Sequence, residues 1–213
     1  MELKFDDKGL ICAIAQDYKT GEVLMQAYMN QEAYEQTLAT GYAHYFSRSR
    51  NKLWKKGEES GHLQRVLKVA VDCDNDCVLL TVEQLGAACH TNNRSCFYTN
   101  IKEFEQYPDF RIIFDVDKVI ADRKVNPVEG SYTNYLFDKG LDKICKKVGE
   151  EASEVIIAAK NKEHKELVGE LSDLLYHSLV LMKNEGVEAE EIFEELMRRE
   201  GKASEEKYKK KPE

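Results

Sequence analysis

The sequence predicts two domains of different fold class: an α+β domain dominated by strands, followed by an all-α helical bundle. Residues 1–107 contain short apolar runs separated by turn-forming residues, which is typical of strands. From Ser131 onward, apolar residues instead recur with the period of an α-helix. A chain of 213 residues is long enough for each of two such domains to bury a core.

The N-terminal part is predicted to contain five strands and one helix. The helix covers Asn30–Thr40, and Asn30 is suited to cap its first turn because its side-chain oxygen can accept a backbone N–H. The apolar runs expected to form strands are Leu10–Ala15, Glu22–Tyr28, Tyr42–Phe46, Leu63–Val71 and Val78–Val82. This order of elements favours a compact α+β domain.

The middle of the chain changes character after Pro108. Arg111–Val116 is compatible with one more strand, whereas Asn126-Pro127 and Gly130 are typical of a connection. We therefore predict a first domain at residues 1–115, a linker at 116–130 and a second domain at 131–213.

The C-terminal part is predicted to form three helices. One apolar stripe consists of Leu141, Ile144, Cys145, Val148, Ala152, Val155, Ile156 and Ala159. A second stripe, after a polar break, consists of Leu167, Leu171, Leu174, Leu175, Ser178, Leu179 and Met182. Gly186 ends the second helix, Val187–Glu200 forms the third, and the charged tail Lys207–Glu213 is expected to fray.

Composition excludes several classes of protein. The formal net charge of −8, with 33% charged residues, argues against general nucleic-acid binding. No stretch approaches ~18 consecutive apolar residues, and Met1–Leu10 carries charges where a signal peptide is apolar, so we expect a cytoplasmic protein without a membrane partner. In that compartment, six cysteines favour metal or thiol chemistry over disulfides.

The stretch Val71–Phe97 concentrates cysteines and carboxylates. On a strand, Asp72, Asp74 and Asp76 would share one face, while Cys73 would point to the other. Together with two later cysteines, Cys89 and Cys96, Cys73 could hold one tetrahedral metal and leave a position open for water. Two alternatives stay open: a buried strand with a charged edge, and a structural zinc site closed by Cys77 as fourth ligand.

Two sequence blocks resemble the phosphoribosyl-AMP cyclohydrolase family of histidine biosynthesis. The first runs from Ser47-Arg48-Ser49-Arg50 through Trp54-x-Lys56-Gly57-Glu58 to Gly61-His62. The second comprises Asp72-Cys73-Asp74-x-Asp76, Gln84-x-Gly86-x-x-Cys89-His90-Thr91 and Arg94-Ser95-Cys96-Phe97-Tyr98. The family usually carries Gly where this chain has Asn92, and Asn tolerates the left-handed backbone conformation that such a glycine adopts.

The resemblance implies a zinc enzyme that hydrolyses the N1–C6 bond of the purine ring. It implies a homodimer in which Cys73 of one subunit joins Cys89 and Cys96 of the other around Zn²⁺. His90 is the candidate for proton transfer, with support of a ligand as the alternative role. The other implied roles are Mg²⁺ binding by Asp72, Asp74 and Asp76, phosphate binding by Arg48, Arg50 and Lys56, and base stacking or core packing by Trp54.

The helical part carries a second candidate site. Glu151 and Glu154 lie one turn apart on one predicted helix, and Glu170 and Asp173 do so on the next. A short turn between antiparallel helices can bring both pairs together as oxygen ligands for Mg²⁺, although a solvated acidic face is the commoner outcome. This E-x-x-E…E-x-x-D pattern resembles the phosphoribosyl-ATP pyrophosphatase family, which also matches at Lys143, Lys147-Val148-Gly149-Glu150 and Asp173-Leu174-Leu175-Tyr176-His177.

Together, the resemblances imply a bifunctional hydrolase that acts on nucleotide substrates in two consecutive steps of histidine biosynthesis. In the helical domain, Glu151 and Glu154 would act in catalysis, and Lys143 and Lys147 would hold substrate phosphates unless they are ordinary surface lysines. His164 and His177 are interpreted as packing or surface residues. A zinc nucleoside deaminase is a weaker alternative, because the chain has no Pro-Cys and its only His-x-Glu, at His164, lies in the helical half.

Overall fold

A computed structural model describes residues 2–105 and 107–200 of the chain. The chain divides into two compact units between Pro108 and Asp109. The first unit is strand-rich and the second is helical, as the sequence predicts. Within the part of the chain that the structure describes, no helix is both long enough and apolar enough to cross a membrane.

The first unit is built on a four-stranded mixed sheet with the strand order β2-β1-β6-β5. β1 runs antiparallel to β2 and parallel to β6, which runs antiparallel to β5, while β3 and β4 form a separate antiparallel pair. The elements are β1 Ile11–Asp17, β2 Val23–Met29, α1 Gln31–Thr40, β3 His44–Ser47, β4 Lys52–Lys55, β5 Gln64–Val71 and β6 Cys77–Gln84. Each of the five predicted strands is present; β4 is the strand that the sequence analysis missed.

Alternating burial along β1 and β6 places the core on one face of the sheet. Ile11, Ala13 and Ala15 of β1 are buried beside alternate residues of β6, such as Val78 and Leu80. α1 adds Ala33 to this core, and its first turn is capped by the Asn30 side chain, which accepts a hydrogen bond from the Ala33 amide at 2.9 Å. The predicted cap at Asn30 is therefore confirmed.

The second unit is all helical. Its helices are α2 Ile112–Val125, α3 Tyr132–Lys139, α4 Leu141–Asn161, α5 His164–Glu185 and α6 Ala189–Arg199. α4 and α5 form a long antiparallel hairpin, because the chain reverses within the short break after Asn161. The buried core residues come from α2, α3, α4 and α5: Ile120, Leu136, Ile144, Leu179 and Val180.

The prediction for residues 111–130 is wrong in part. Neither a strand at Arg111–Val116 nor a linker from residue 116 is present, because residues 112–125 form α2. Ile113, Val116 and Ile120 recur at helical spacing and pack into the helical core, so this segment belongs to the second unit. The predicted connection at Asn126–Gly130 does separate α2 from α3. The tail predicted to fray lies outside the described residues.

Candidate active sites

A cavity of about 1060 Å³ opens in the first unit beside β2, the β3–β4 pair and the loop after β6. It collects candidate residues that lie far apart in the sequence: Arg48, Arg50, Trp54, Lys56, Cys89, His90 and Cys96. The structure thus brings together most of the residues predicted for the cyclohydrolase site.

The loop that carries Cys89 and Cys96 is tied to the start of β2. The Ser95 hydroxyl donates to the Val23 carbonyl at 2.8 Å, and the Cys96 amide donates to the Leu24 carbonyl at 2.8 Å. Next to them, the Arg94 guanidinium contacts the buried Asp17 carboxylate at 2.8 Å. These contacts hold the Cys96 backbone in place on the wall of the cavity.

Two residues allow the chain to turn within this loop. Gly86 has a φ of 69°, and a Cβ at that position would lie 2.4 Å from the His62 ring. Asn92 has a φ of 66°, so it adopts the left-handed conformation expected from its place in the motif. The backbone at Asn92 is therefore in the conformation that a glycine would tolerate best, as the sequence analysis expects.

The two thiols of the loop interact directly and share a basic neighbour. Cys89 is 6% exposed, and hydrogen bonds from the side chain and backbone of Thr91 lower its pKa. Desolvation and the neighbouring Cys89 raise the pKa of Cys96 to about 11, even though the Cys96 residue as a whole is exposed. Burial lowers the pKa of Lys56, and the two thiols oppose this shift. Paired sulfurs of this kind suit a thiophilic metal such as zinc.

His90 and Trp54 also border the cavity. His90 is exposed, and its Nδ1 lies 3.9 Å from the Cys89 sulfur, so its ring is free to meet a ligand in the cavity. Trp54 is half-buried, with its ring centroid 5.3 Å from that of the core residue Tyr45. One face of the site is therefore anchored in the core, and both roles considered for Trp54 are compatible with its position.

The strand predicted for Asp72, Asp74 and Asp76 is wrong. These residues form the turn between β5 and β6, so strand alternation does not set the direction of Cys73. Their carboxylates nevertheless converge, with oxygens within 4.8 Å of one another. The Asp72 Oδ1 accepts the amides of Asp76 and Cys77 at 3.0 and 3.1 Å, and the charge of Asp74 raises the pKa of Asp76. Crowded like charges of this kind favour a bound cation.

Cys73 is separated from Cys89 and Cys96 by the length of a strand. It precedes β6, whereas Cys89 follows that strand, and eight residues of β6 span roughly 23 Å at about 3.3 Å per residue. Among residues 2–105 and 107–200, only two groups of three potential metal ligands come together, and both are acidic. One chain therefore does not assemble the three predicted zinc ligands.

Cys77 does not join Cys89 and Cys96 either. It pairs in register with Cys12 across the parallel strands β6 and β1, and burial, followed by the nearby Cys12 thiol, raises its pKa to about 11. A four-cysteine structural site within one chain is thus not formed.

The second acidic group lies on the α4–α5 hairpin. Glu151 and Glu154 of α4 and Glu170 of α5 place carboxylate oxygens within 4.8 Å of one another. Glu151 is 4% exposed, and its Oε1 accepts a hydrogen bond from Lys147 at 2.5 Å, which lowers its pKa. Desolvation and the adjacent Glu154 raise the pKa of Glu170, as expected where carboxylates crowd together.

The remaining predicted residues of this site lie at its edge. Asp173 is exposed on α5, one turn beyond Glu170, and its charge contributes to the raised pKa of Glu170. Lys143 is half-exposed on α4, one turn before Lys147. The structure therefore gathers three carboxylates tightly and places the fourth beside them.

Comparison with known proteins assigns a family to each unit. The family model for phosphoribosyl-AMP cyclohydrolase matches residues 25–98, and that for phosphoribosyl-ATP pyrophosphohydrolase matches residues 114–200. The histidine biosynthesis bifunctional protein HisIE of Thermoanaerobacter pseudethanolicus is 54% identical over 91% of this chain and 97% of its own length. The chain belongs to this bifunctional family.

Other members support the same relationship over nearly the full chain. The HisIE protein of Caldanaerobacter subterraneus is 55% identical over 93% of this chain and 96% of its own length. That of Bacillus subtilis is 50% identical over 93% and 95% of the two chains. Both predicted resemblances are confirmed, so the deaminase and the non-enzymatic zinc module are not retained.

Two residues of the sites were missed by the sequence analysis. His62 lines the first cavity and packs against Gly86, although the motif containing it was recognised without a role for its side chain. His177 was interpreted as a packing or surface residue; its 4% exposure confirms packing, and its Nδ1 also lies 3.7 Å from Glu151 Oε1. The available signal was its place as the last residue of the motif Asp173-Leu174-Leu175-Tyr176-His177.

Proposed function

We propose that the chain catalyses two consecutive hydrolytic steps of histidine biosynthesis with two separate active sites. The helical unit hydrolyses phosphoribosyl-ATP to phosphoribosyl-AMP and pyrophosphate, and the first unit then opens the purine ring of phosphoribosyl-AMP at N1–C6. The observation that carries this proposal is that each unit matches one of the two enzyme families and holds its own cluster of reactive side chains.

In the helical unit, we assign Mg²⁺ to Glu151, Glu154 and Glu170, with Asp173 beside them. The convergence of three carboxylates, and the raised pKa of Glu170, support this assignment. Bound Mg²⁺ would neutralise charge on the triphosphate and on the leaving pyrophosphate. The buried Glu151 is oriented by its bond to Lys147, while the exposed Glu154 would orient the attacking water.

The lysines of α4 are assigned to the substrate phosphates. Lys147 already contacts Glu150 and Glu151 at 3.1 and 2.5 Å, so its ammonium is held at the edge of the carboxylate cluster. Lys143, one turn away on α4, would extend this positive edge. As compact charges with three donors each, the two lysines suit phosphate oxygens.

In the first unit, we assign Zn²⁺ to Cys73, Cys89 and Cys96. The direct contact between the Cys89 and Cys96 thiols supports the assignment, since it presents two soft ligands together. Bound Zn²⁺ would lower the pKa of a water molecule so that hydroxide is available near neutral pH. His90, beside Cys89 in the cavity, would deliver a proton to the ring nitrogen that leaves.

The remaining residues of the first site would bind the substrate. Arg48, Arg50 and Lys56 line the same cavity as the cysteines and carry the positive charge that a phosphate requires. Trp54 offers an aromatic surface on the cavity wall for the purine. The aspartates at the β5–β6 turn would hold Mg²⁺ against a substrate phosphate.

We propose that the zinc site is shared between two copies of the chain in a homodimer. The separation of Cys73 from Cys89 by the length of β6 supports this, because one chain cannot bring both sulfurs to one metal. The β5–β6 turn of one copy would then carry Cys73, with Asp72, Asp74 and Asp76, to the cavity of the other. The cyclohydrolase site is incomplete without the second copy.

The experiment that tests the two-site function supplies each substrate separately. Wild-type protein with phosphoribosyl-ATP should release pyrophosphate and form the ring-opened product. Glu151→Gln or Asp173→Asn should stop pyrophosphate release and leave turnover of supplied phosphoribosyl-AMP nearly intact. Loss of both steps in a variant that remains folded by circular dichroism would reject two independent sites.

A further inference from the structure

His177 connects the pyrophosphohydrolase carboxylates to α3. It is buried on α5, with its Nδ1 at 2.8 Å from the Asp173 carbonyl oxygen and 3.7 Å from Glu151 Oε1. On the other side of the ring, Nε2 lies 3.0 Å from the Tyr132 hydroxyl. One imidazole thus contacts the backbone of one proposed Mg²⁺ residue, the side chain of another and a tyrosine from a different helix.

The hydrogen bonds fix the direction of this chain of contacts. A carbonyl oxygen only accepts, so the proton of the neutral imidazole lies on Nδ1, and Nε2 accepts from the Tyr132 hydroxyl. The N–H edge of the ring therefore faces both Asp173 and Glu151. Lys147 contacts the same Oε1 atom of Glu151 at 2.5 Å, so groups from α4 and α5 meet at one oxygen of this carboxylate.

The tyrosine that makes this contact is itself held by packing. The ring of Tyr132 stacks with those of Tyr135 and Tyr176 at centroid distances of 6.1 and 6.3 Å. The first turn of α3 is capped by the Ser131 side chain, which accepts the Asn134 amide. Although Tyr132 is 47% exposed, two neighbouring rings and the capped turn restrict its ring, as the orientation of another group requires.

We propose that Tyr132 and His177 are positioning residues for Glu151. The Tyr132 hydroxyl locks the imidazole so that its N–H faces Asp173 and Glu151, and the Glu151 carboxylate is thereby kept directed toward Glu154 and Glu170. This inference rests on the proposed pyrophosphohydrolase function. Both residues act through Glu151, in the way that outer residues orient metal ligands elsewhere.

The test is a double-mutant cycle in the full-length protein, read out by binding of Mg²⁺ alone. Tyr132→Phe removes the donor and keeps the ring, while His177→Asn keeps a donor near the Nδ1 position and removes the acceptor. Titration calorimetry measures the Mg²⁺ affinity. The binding heat that Glu170→Gln abolishes is assigned to this carboxylate cluster. Each single variant should bind Mg²⁺ about tenfold more weakly. The double variant should be no weaker than either single one.

A matched control and a second readout separate positioning from general loss of packing. Thr133→Val removes the 2.7 Å hydroxyl–hydroxyl bond between Thr133 and Tyr176, which joins the same two helices without involving Tyr132, His177 or Glu151. It should leave Mg²⁺ affinity unchanged. Pyrophosphate release by Tyr132→Phe should be largely restored by raising the Mg²⁺ concentration, whereas turnover of phosphoribosyl-AMP should be normal throughout.

The inference is overturned if Tyr132→Phe binds Mg²⁺ with wild-type affinity. It is also overturned if the losses of Mg²⁺ binding free energy in the two single variants add up in the double variant. If His177→Asn melts early, Tyr132→Phe and Thr133→Val decide the question alone. Failure of the proposed function looks different: wild-type protein would then bind Mg²⁺ at the cluster but release no pyrophosphate from phosphoribosyl-ATP.

Discussion

At the scale of single residues, the thiol site depends on contacts that hold Cys89 and Cys96 side by side. Thr91 donates to the Cys89 sulfur at 3.0 Å, and the Cys96 amide is bonded to β2. By contrast, Cys12 and Cys145 lie outside the cavity, on β1 and α4. The six cysteines of the chain are therefore not equivalent, and their chemistry differs with position.

The first prediction concerns those cysteines. Cys89→Ser or Cys96→Ser should abolish tight Zn²⁺ binding and ring opening, because a serine hydroxyl is a much poorer zinc ligand than a thiolate. Cys12→Ser and Cys145→Ser should retain both properties. Zinc content by atomic emission and turnover of phosphoribosyl-AMP measure the outcome. Full cyclohydrolase activity in metal-free protein would contradict the prediction.

A second residue-scale prediction uses two glycines with the same backbone conformation. Gly86→Ala introduces a Cβ that would lie 2.4 Å from the His62 ring, whereas Gly9→Ala, at a φ of 70°, meets nothing within 4 Å. Both changes carry the left-handed strain of roughly 1–2 kcal/mol, but only Gly86→Ala adds a clash beside the thiol loop. Gly86→Ala should therefore unfold at a lower urea concentration than Gly9→Ala and should retain less zinc. Equal losses in the two variants would show that the His62 contact is unimportant.

At the scale of elements, the two acidic clusters arise from different structures. The first lies in the tight β5–β6 turn, where backbone amides orient Asp72. The second lies on the α4–α5 hairpin, where residues one turn apart on facing helices meet. Helical spacing predicted the second arrangement correctly, while strand spacing predicted convergence of the first for the wrong reason.

The helix α2 provides an element-scale prediction. Ile120→Ala should destabilise the helical unit by about 2–4 kcal/mol, because Ile120 is 1% exposed in its core. The adjacent Val119→Ala is the control, since Val119 is 50% exposed and should change stability by less than about 0.5 kcal/mol. Denaturant unfolding followed by circular dichroism measures both. If Ile120→Ala is as stable as wild type, α2 does not contribute to the helical core, and this segment is a linker.

At the scale of the whole molecule, the two chemistries reside in separate units with different requirements. The helical unit gathers its three tightest carboxylates within one chain. The first unit leaves Cys73 at the opposite end of β6 from the other two proposed zinc ligands. Only the first site therefore calls for a second copy of the chain, and this difference can be measured by subunit mixing.

Complementation between inactive variants tests the shared site. Cys73→Ser and Cys89→Ser should each be inactive, and mixing them under conditions of subunit exchange should form heterodimers with one intact site. About half of randomly paired dimers are mixed, and each has one good site of two, so roughly a quarter of wild-type ring opening should return. If activity stays at the level of the separate variants although exchange is confirmed by mass spectrometry, the zinc site lies within one chain.

The sequence by itself determined the two fold classes, the order of the domains and the motifs of the two enzyme families. It could do so because hydrophobic period and motif spacing are local properties, readable along the chain. Ile113, Val116 and Ile120 already carry the helical period of α2, but residues 111–116 were interpreted as a possible strand and residues 116–130 as a linker.

Only the tertiary structure decided which of these residues meet. It placed Asp72–Asp76 in a turn, separated Cys73 from Cys89, and joined Tyr132 to His177 across two helices. These facts depend on where β6 begins and ends and on how α3 packs against α5. Contacts between distant segments are set by packing of the whole core, which no spacing within a single segment contains.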